Sequence, residues 1–337
     1  MILIRKIKKL EAVMRRKYFN KIFLTIVLVG FTSVAYAQTQ SFDSWLVQTR
    51  QEALAQGISQ ATINATLYNI QPTMRAIELD KKQPEKKRTF AQYKKLIVDD
   101  FRISQGRKML RKYARELQEV ENQYGVPKEF IVALWGIETN YGSNTGGFKV
   151  VPALATLSWE GRRAEFFKKE LMNALKIIDA GHISAANMKG SWAGAMGQNQ
   201  FMPSSFNAYA VDGNGDGRRD IWGTKKDVFA STANYLKKNG WKTGERWGRR
   251  VTLPASFLDS MITPKIKKPI SYWSSMGVRN YGGGPLPTAD MMASIVAPDG
   301  KNGEAYIVYN NFQTIMDWNR STYFATSVGL IADALSQ

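Results

Sequence analysis

The sequence contains no cysteine. That excludes disulfides, thiolate metal sites, cysteine nucleophiles and a cysteine-borne lipid anchor. It holds a single histidine, His182 in "DAGHISAAN", which reads as a surface or helix-end residue. Ser-His-Asp chemistry and multi-His zinc sites therefore drop out. Acidic residues are the scarce charge, 28 Asp and Glu against 47 Lys and Arg. Two long stretches lack them altogether, between Glu138 and Glu160 and between Asp179 and Asp212. There is no internal repeat, low-complexity tract or recognisable nucleic-acid module, so a nucleic-acid binder is the weakest reading.

At 337 residues, 44% of them hydrophobic, the chain is globular and long enough for roughly two domains. Its start reads as a signal peptide, residues 1–37. Arg15, Arg16, Lys17 and Lys21 precede the uncharged run "IFLTIVLVGFTSVAYA", which ends small-x-small at Ala35-Tyr36-Ala37. Met14 opens a second complete n-region. Sixteen uncharged residues fall short of the ~20 that span a bilayer, although an uncleaved anchor is the other reading. The expectation is an exported, soluble, periplasmic protein. The formal charge of +19 falls to +12 without residues 1–37, which hold eight Lys/Arg and one Glu. Such a surface suits an anionic partner, or is merely solvated.

Residues 38–120 read as an N-terminal helical domain, with a Ser cap before "FDSWLVQTRQEALA" and a break at Pro84. Residues 121–245 read as a helical core; one of its helices starts near Pro127 and stops at Gly142. After that, Gly/Pro breaks and the short strands "MASIVAP" and "EAYIVYN" around "DGKNG" mark a small β-rich insertion, residues 246–308. Residues 309–337 return to helix and complete the core. The fold class is mainly α (α+β).

Within "LWGIETNYG", Glu138 shares a helix face with Ile131, Leu134 and Trp135. Desolvation and the negative helix end both raise its pKa. A carboxyl kept protonated near neutrality is a general acid; a salt-bridged or capping Glu fits the stretch equally. A glycosidase normally pairs two carboxylates, and no second one lies nearby in sequence. Instead "KGSWAGAMGQNQFMPSSF" offers Ser191, Gln198, Asn199 and Gln200 to hydroxyls and acetamides, or serves only helix packing. "DGNGDGRRD" places Asp212, Asn214, Asp216 and Asp220 at calcium-loop positions 1, 3, 5 and 9, with Arg218 supplying a carbonyl at 7. A solvated Asn/Gly turn is the alternative.

Four motifs in this order, "VPKEFIVALWGIETNYG", "ALATLSWEGRRAEFF", "KGSWAGAMGQNQFMPSSF" and "AVDGNGDGRRDIW", resemble the lytic murein transglycosylases of the B type. "RAIELDKKQPE" and "DWNRSTYFATSVG" extend the resemblance over nearly all of the mature chain. It implies a lysozyme-like catalytic core acting on peptidoglycan glycan strands. Glu138 is then the sole acid/base, the muramoyl 6-hydroxyl is the nucleophile, and the product is a 1,6-anhydromuramic acid end. It also implies that Ser191, Gln200, Tyr235 and Asn319 bind substrate. Asp227 would close the calcium site, which is structural, and no organic cofactor is needed. Phe324 stands where relatives carry a tyrosine, with Tyr323 beside it, and Asn199 replaces a small residue or Pro. A hydrolytic muramidase and a non-catalytic murein-binding protein are the competing expectations.

Overall fold

The helix that begins after Pro127 sets the frame. Pro127 occupies the N-cap, where its missing N–H has no helical partner to lose. Every residue from Phe130 to Gly136 is buried, so this helix is enclosed by others rather than lying on the surface.

The computed structural model describes residues 40–82 and 88–337. The signal-peptide reading and the Pro84 break lie outside the described residues. The N-terminal helices are α1 (Phe42–Ala55), α2 (Gln60–Thr66), α3 (Met74–Lys81), α4 (Phe90–Ile97), α5 (Asp100–Lys112) and α6 (Ala114–Tyr124). The enclosed helix is α7 (Lys128–Thr139). After it come β1 (Phe148–Lys149), α8 (Val150–Glu160), α9 (Ala164–Asp179), β2 (Lys189–Gly190), α10 (Pro203–Tyr209) and α11 (Lys225–Lys238). A second region holds β3 (Gly248–Thr252), β4 (Thr263–Pro269), α12 (Ile270–Ser275), β5 (Arg279–Asn280), β6 (Met292–Val296) and β7 (Ala305–Val308). The chain ends with α13 (Asn310–Trp318) and α14 (Thr322–Leu335). Ser41–Gln337 forms one compact unit.

Helix α7 is packed by α5, α6, α11 and α14, so elements distant in sequence meet around it. The start signals act locally. Ser41, Ser59, Thr89 and Asp99 accept the N–H three residues on, at the heads of α1, α2, α4 and α5. Buried Asp80 on α3 pairs with Arg162, at 2.6 Å, and with Arg163, clasping the turn between α8 and α9.

The larger sheet is antiparallel throughout, in the order β4-β6-β7-β3-β5. Its period-2 alternation serves two cores. Ala305 and Ile307 face a small core around Phe257, Ile270 and Trp273, while Tyr306 and Val308 join the main helical core. The sheet is thus covered on both faces, and its central strands read as apolar runs. The turn after β6 also anchors α4: the Asp299 carboxylate accepts the N–H groups of Phe90 and Ala91 at 2.5 and 2.9 Å. Glu304 pairs with Lys94 of the same helix at 2.7 Å. Lys94 thus holds helix to sheet.

Candidate active site

Glu138 is the penultimate residue of α7. The chain leaves that helix through three successive left-handed residues, Asn140, Tyr141 and Gly142, with φ of 47°, 59° and 83°. A bulky residue rarely adopts this conformation, and Tyr141 is held in it from both ends. Its hydroxyl donates to the Arg102 carbonyl at 2.7 Å, and its ring lies so close to α7 that a Cβ on Gly136 would stand 2.7 Å from it. Gly136 is therefore a requirement of this exit. Trp135, whose ring meets Tyr141 edge-on at 5.5 Å, and Thr139 are tied to Gln198: the indole N–H and the hydroxyl donate to its side chain and backbone oxygens, at 2.9 and 3.0 Å.

Among the described residues the Glu138 carboxyl has one hydrogen-bond partner, the indole N–H of Trp318, which donates to Oε1 at 2.8 Å. Desolvation dominates its electrostatics and lifts its pKa to about 7, while the Trp318 hydrogen bond pulls it down. Among the described residues no second carboxylate acts on it. Tyr93, on α4, lies within its field: burial first, then the Glu138 charge, raise the phenol, with Arg102 opposing. Sequence reading missed both neighbours. Trp318 stands one place before Asn319. Tyr93 is on the Phe90, Tyr93, Ile97 stripe of α4, which reads as core spacing alone.

The residues of the 189–206 stretch divide. Gln198 is 3% exposed and donates to the Trp222 carbonyl at 2.6 Å as well as accepting from Trp135. It ties α7 to the acidic loop and is not free for a ligand. Asn199 is also buried, donating to Val228 and Thr232 of α11, so it braces that helix and lines no open face. Ser191 and Gln200 remain half-buried. Ser191 Oγ accepts the Ala195 N–H at 3.1 Å, and Gln200, at φ 50°, donates to the Thr145 and Gly197 carbonyls. Tyr235 packs its ring on Trp318, centroids 4.7 Å apart, and its hydroxyl donates to the Asp317 carbonyl at 2.7 Å. Asn319, exposed, ends α13 directly after Trp318. Phe324 is buried. The Tyr323 hydroxyl reaches Pro298 and Asp299, and its ring lies against Tyr93 at 5.8 Å. Tyr323 thus supports Tyr93 rather than standing in for the missing phenol.

In the acidic loop, acceptor counting separates the candidates, since a carboxylate offers about four lone-pair sites. Asp220 has four donors, from Trp222, Gly223 and the N–H and hydroxyl of Thr224. It caps the next turn, and a cation bound there would replace part of this bonding. Asp212 takes the N–H groups of Gly215, Asp216 and Gly217. Asp216 takes the Arg218 N–H and the Asn214 amide. Fully buried Asp227 takes N–H groups of Gly213, Asn214 and Asp220. Its pKa is raised, by burial first and with Asp212 adding to it. Among the described residues, no three His, Cys, Asp or Glu groups converge as a formed metal cluster. Asp212, Asn214, Asp216, Asp227 and the Arg218 carbonyl keep oxygen lone pairs that suit a hard cation. His182 accepts the Arg219 N–H at 3.3 Å and steadies this loop.

Residues 41–333 match the family of the transglycosylase SLT domain. The chain is 34% identical over 250 residues to the membrane-bound lytic murein transglycosylase B of Escherichia coli, covering 72% of this chain and 66% of that protein's length. The crystal structure of SltB3 from Pseudomonas aeruginosa in complex with NAG-anhNAM-pentapeptide superposes with a TM-score of 0.86 at 46% identity. It covers 88% of this chain and 80% of that one. The Escherichia coli lytic transglycosylase Slt35 in complex with calcium gives 0.76 at 31% identity, over 87% and 92%. With an acid at the end of an enclosed helix, a mainly helical lysozyme-like core and these likenesses, the chain belongs to the transglycosylase SLT domain family, in its B-type lytic murein branch.

Proposed function

We propose that the protein is an exported, periplasmic lytic transglycosylase. It cleaves the β-1,4 bond between N-acetylmuramic acid and N-acetylglucosamine in peptidoglycan and leaves 1,6-anhydromuramic acid ends. The observation that carries this reading is Glu138: one carboxyl, half-buried, with a pKa near 7 and no carboxylate partner. Near neutrality both its forms are populated, as a group that first gives and then takes a proton requires. Glu138 protonates the glycosidic oxygen as the bond from C1 breaks. The muramoyl 6-hydroxyl oxygen bonds to C1, and its proton returns to Glu138. No water is consumed and no second protein carboxylate is needed.

Ser191, Gln200, Tyr235 and Asn319 form the glycan cleft, Tyr235 as the buried ring on which Trp318 packs, its hydroxyl already bonded. The acidic loop would hold calcium, in a structural role, on Asp212, Asn214, Asp216, Asp220, Asp227 and the Arg218 carbonyl, with Asp220 giving up part of its bonding to the Trp222–Thr224 turn. Related proteins crystallised with a muropeptide and with calcium support both parts. Glu138→Gln tests the assignment. The amide is close to isosteric and cannot donate the proton, so turnover on purified peptidoglycan should fall by at least about 10²–10⁴-fold, with glycan binding retained in a pull-down. Turnover near that of the unmodified protein would remove Glu138 from the mechanism.

A further inference from the structure

The indole of Trp318 is gripped by aromatic rings before it reaches Glu138. Phe201 lies 5.2 Å from it between centroids, and Tyr235 lies 4.7 Å away at 62°. Tyr235 also bonds the carbonyl of Asp317, the residue just before Trp318. Helix α11 therefore holds the end of α13 by packing and by a hydrogen bond. From that support the indole N–H meets Glu138 Oε1 at 2.8 Å. Glu138 Oε2 has no hydrogen-bond partner among the described residues, so the two carboxyl oxygens are chemically distinct.

We propose that Trp318 is the positioning residue of the acid/base: its N–H fixes Oε1 and thereby dedicates Oε2 to proton transfer. A free Glu side chain at a helix end samples several rotamers, and an unheld carboxyl presents either oxygen. Pinning one oxygen to a packed indole removes that choice, and a proton-transferring group must sit within hydrogen-bond reach of its target. A buried indole needs some acceptor, and a backbone carbonyl would satisfy packing alone. A carboxylate acceptor does more, because the bond strengthens as Glu138 ionises. That favours the form that takes the proton back and opposes desolvation, which favours the form that gives it. This inference rests on the transglycosylase reading for its chemistry, but the contact itself can be tested without it.

Few other groups confuse the readout. Facing Glu138 are Tyr93 from α4 and, beyond it, Arg102 from α5. Tyr235 from α11 stands behind Trp318, its phenol pushed up to about 12 by burial, then by Tyr209 and Asp317. Asp317 and exposed Arg320 flank the end of α13, and Tyr323 contributes from α14 through Tyr93. Both phenols next to the site, Tyr93 and Tyr235, are raised, which leaves Glu138 as the group near the indole expected to change charge around neutrality.

The test uses the mature protein with 15N-labelled indoles, titrated from about pH 5 to pH 9, the range that brackets a neutral pKa. One indole N–H should move with a single inflection near neutrality, and Glu138→Gln should flatten it. No indole that responds to Glu138 would overturn the proposal. In Trp318→Phe, which keeps a ring and loses the donor, the Glu138 carboxyl 13C titration should rise by about one unit. Turnover should fall about tenfold, with KM changed less than about twofold. An unmoved titration, or a loss confined to KM, would also overturn it. If Trp318→Phe does not fold, the indole titration decides alone. If the titrations behave as expected while the unmodified protein cuts no glycan, the positioning contact stands and the transglycosylase reading falls.

Discussion

Glu138 is a residue that the fold holds at a cost. Its pKa is raised by desolvation to about 7, well above its value in the unfolded chain. A raised carboxyl leaves the native state unpenalised below the unfolded pKa; the penalty grows as pH climbs to about 7 and is complete above it. Glu138→Gln removes the ionisable group, so it should stabilise the protein by about 2–3 kcal/mol at pH 8 and by almost nothing at pH 4. Thermal unfolding at the two pH values checks this, and equal effects at both would mean that burial does not penalise the charge. The face of Ile131, Leu134 and Trp135 made this much legible in sequence. Trp318 was not legible, because its partner lies 180 positions away and no local pattern reports a contact of that span. Gln198 stays ambiguous in sequence for a related reason. An amide in a Gly/Ala-rich stretch resembles a ligand group until its partners are seen; here the Trp135 indole donates to it and the Trp222 carbonyl accepts from it.

At the scale of elements, the acidic loop and α7 are mechanically joined. Gln198 bonds Trp135 and Thr139 of α7 on one side, and Ile221 and Trp222 at the loop's exit on the other. An ion that stiffens the loop should therefore steady the helix bearing Glu138. In protein first stripped by chelator, millimolar-order calcium should raise the melting temperature, since a ligand that binds only the native state stabilises it. Asp216→Ala should erase the increment. A flat response would leave a solvated turn clasped by its own backbone N–H groups. The loop's 1, 3, 5, 9 spacing is visible in sequence, but the bonding of Asp220 to its own turn is not, because it depends on the fold of Trp222–Thr224. Helices were legible wherever apolar spacing and a cap agreed, as at Ser41. The sheet's two covered faces were not, since strands such as "AYIV" show no polar alternation when both sides are buried.

At the scale of the whole molecule, three distant parts of the chain converge on one carboxyl: α4 with Tyr93, α7 with Glu138, and α13 with Trp318. The sheet region contributes by anchoring α4 through Asp299 and Glu304. Cooperation of this kind leaves one acid without a carboxylate partner among the described residues, which supports the proposed displacement by the substrate's own hydroxyl. No helix among the described residues is long and apolar enough to cross a membrane. The excess of Lys and Arg over acids suits an anionic glycan but does not distinguish cutting from binding. The product does. Purified peptidoglycan incubated with the mature protein, with no reductant added, should release muropeptides ending in 1,6-anhydromuramic acid, one water lighter by mass spectrometry than hydrolytic products. Reducing-end products without any anhydro species would make the enzyme a hydrolytic muramidase, and glycan bound but never cut would make it a murein-binding protein; either result contradicts displacement by the 6-hydroxyl under a single acid, Glu138.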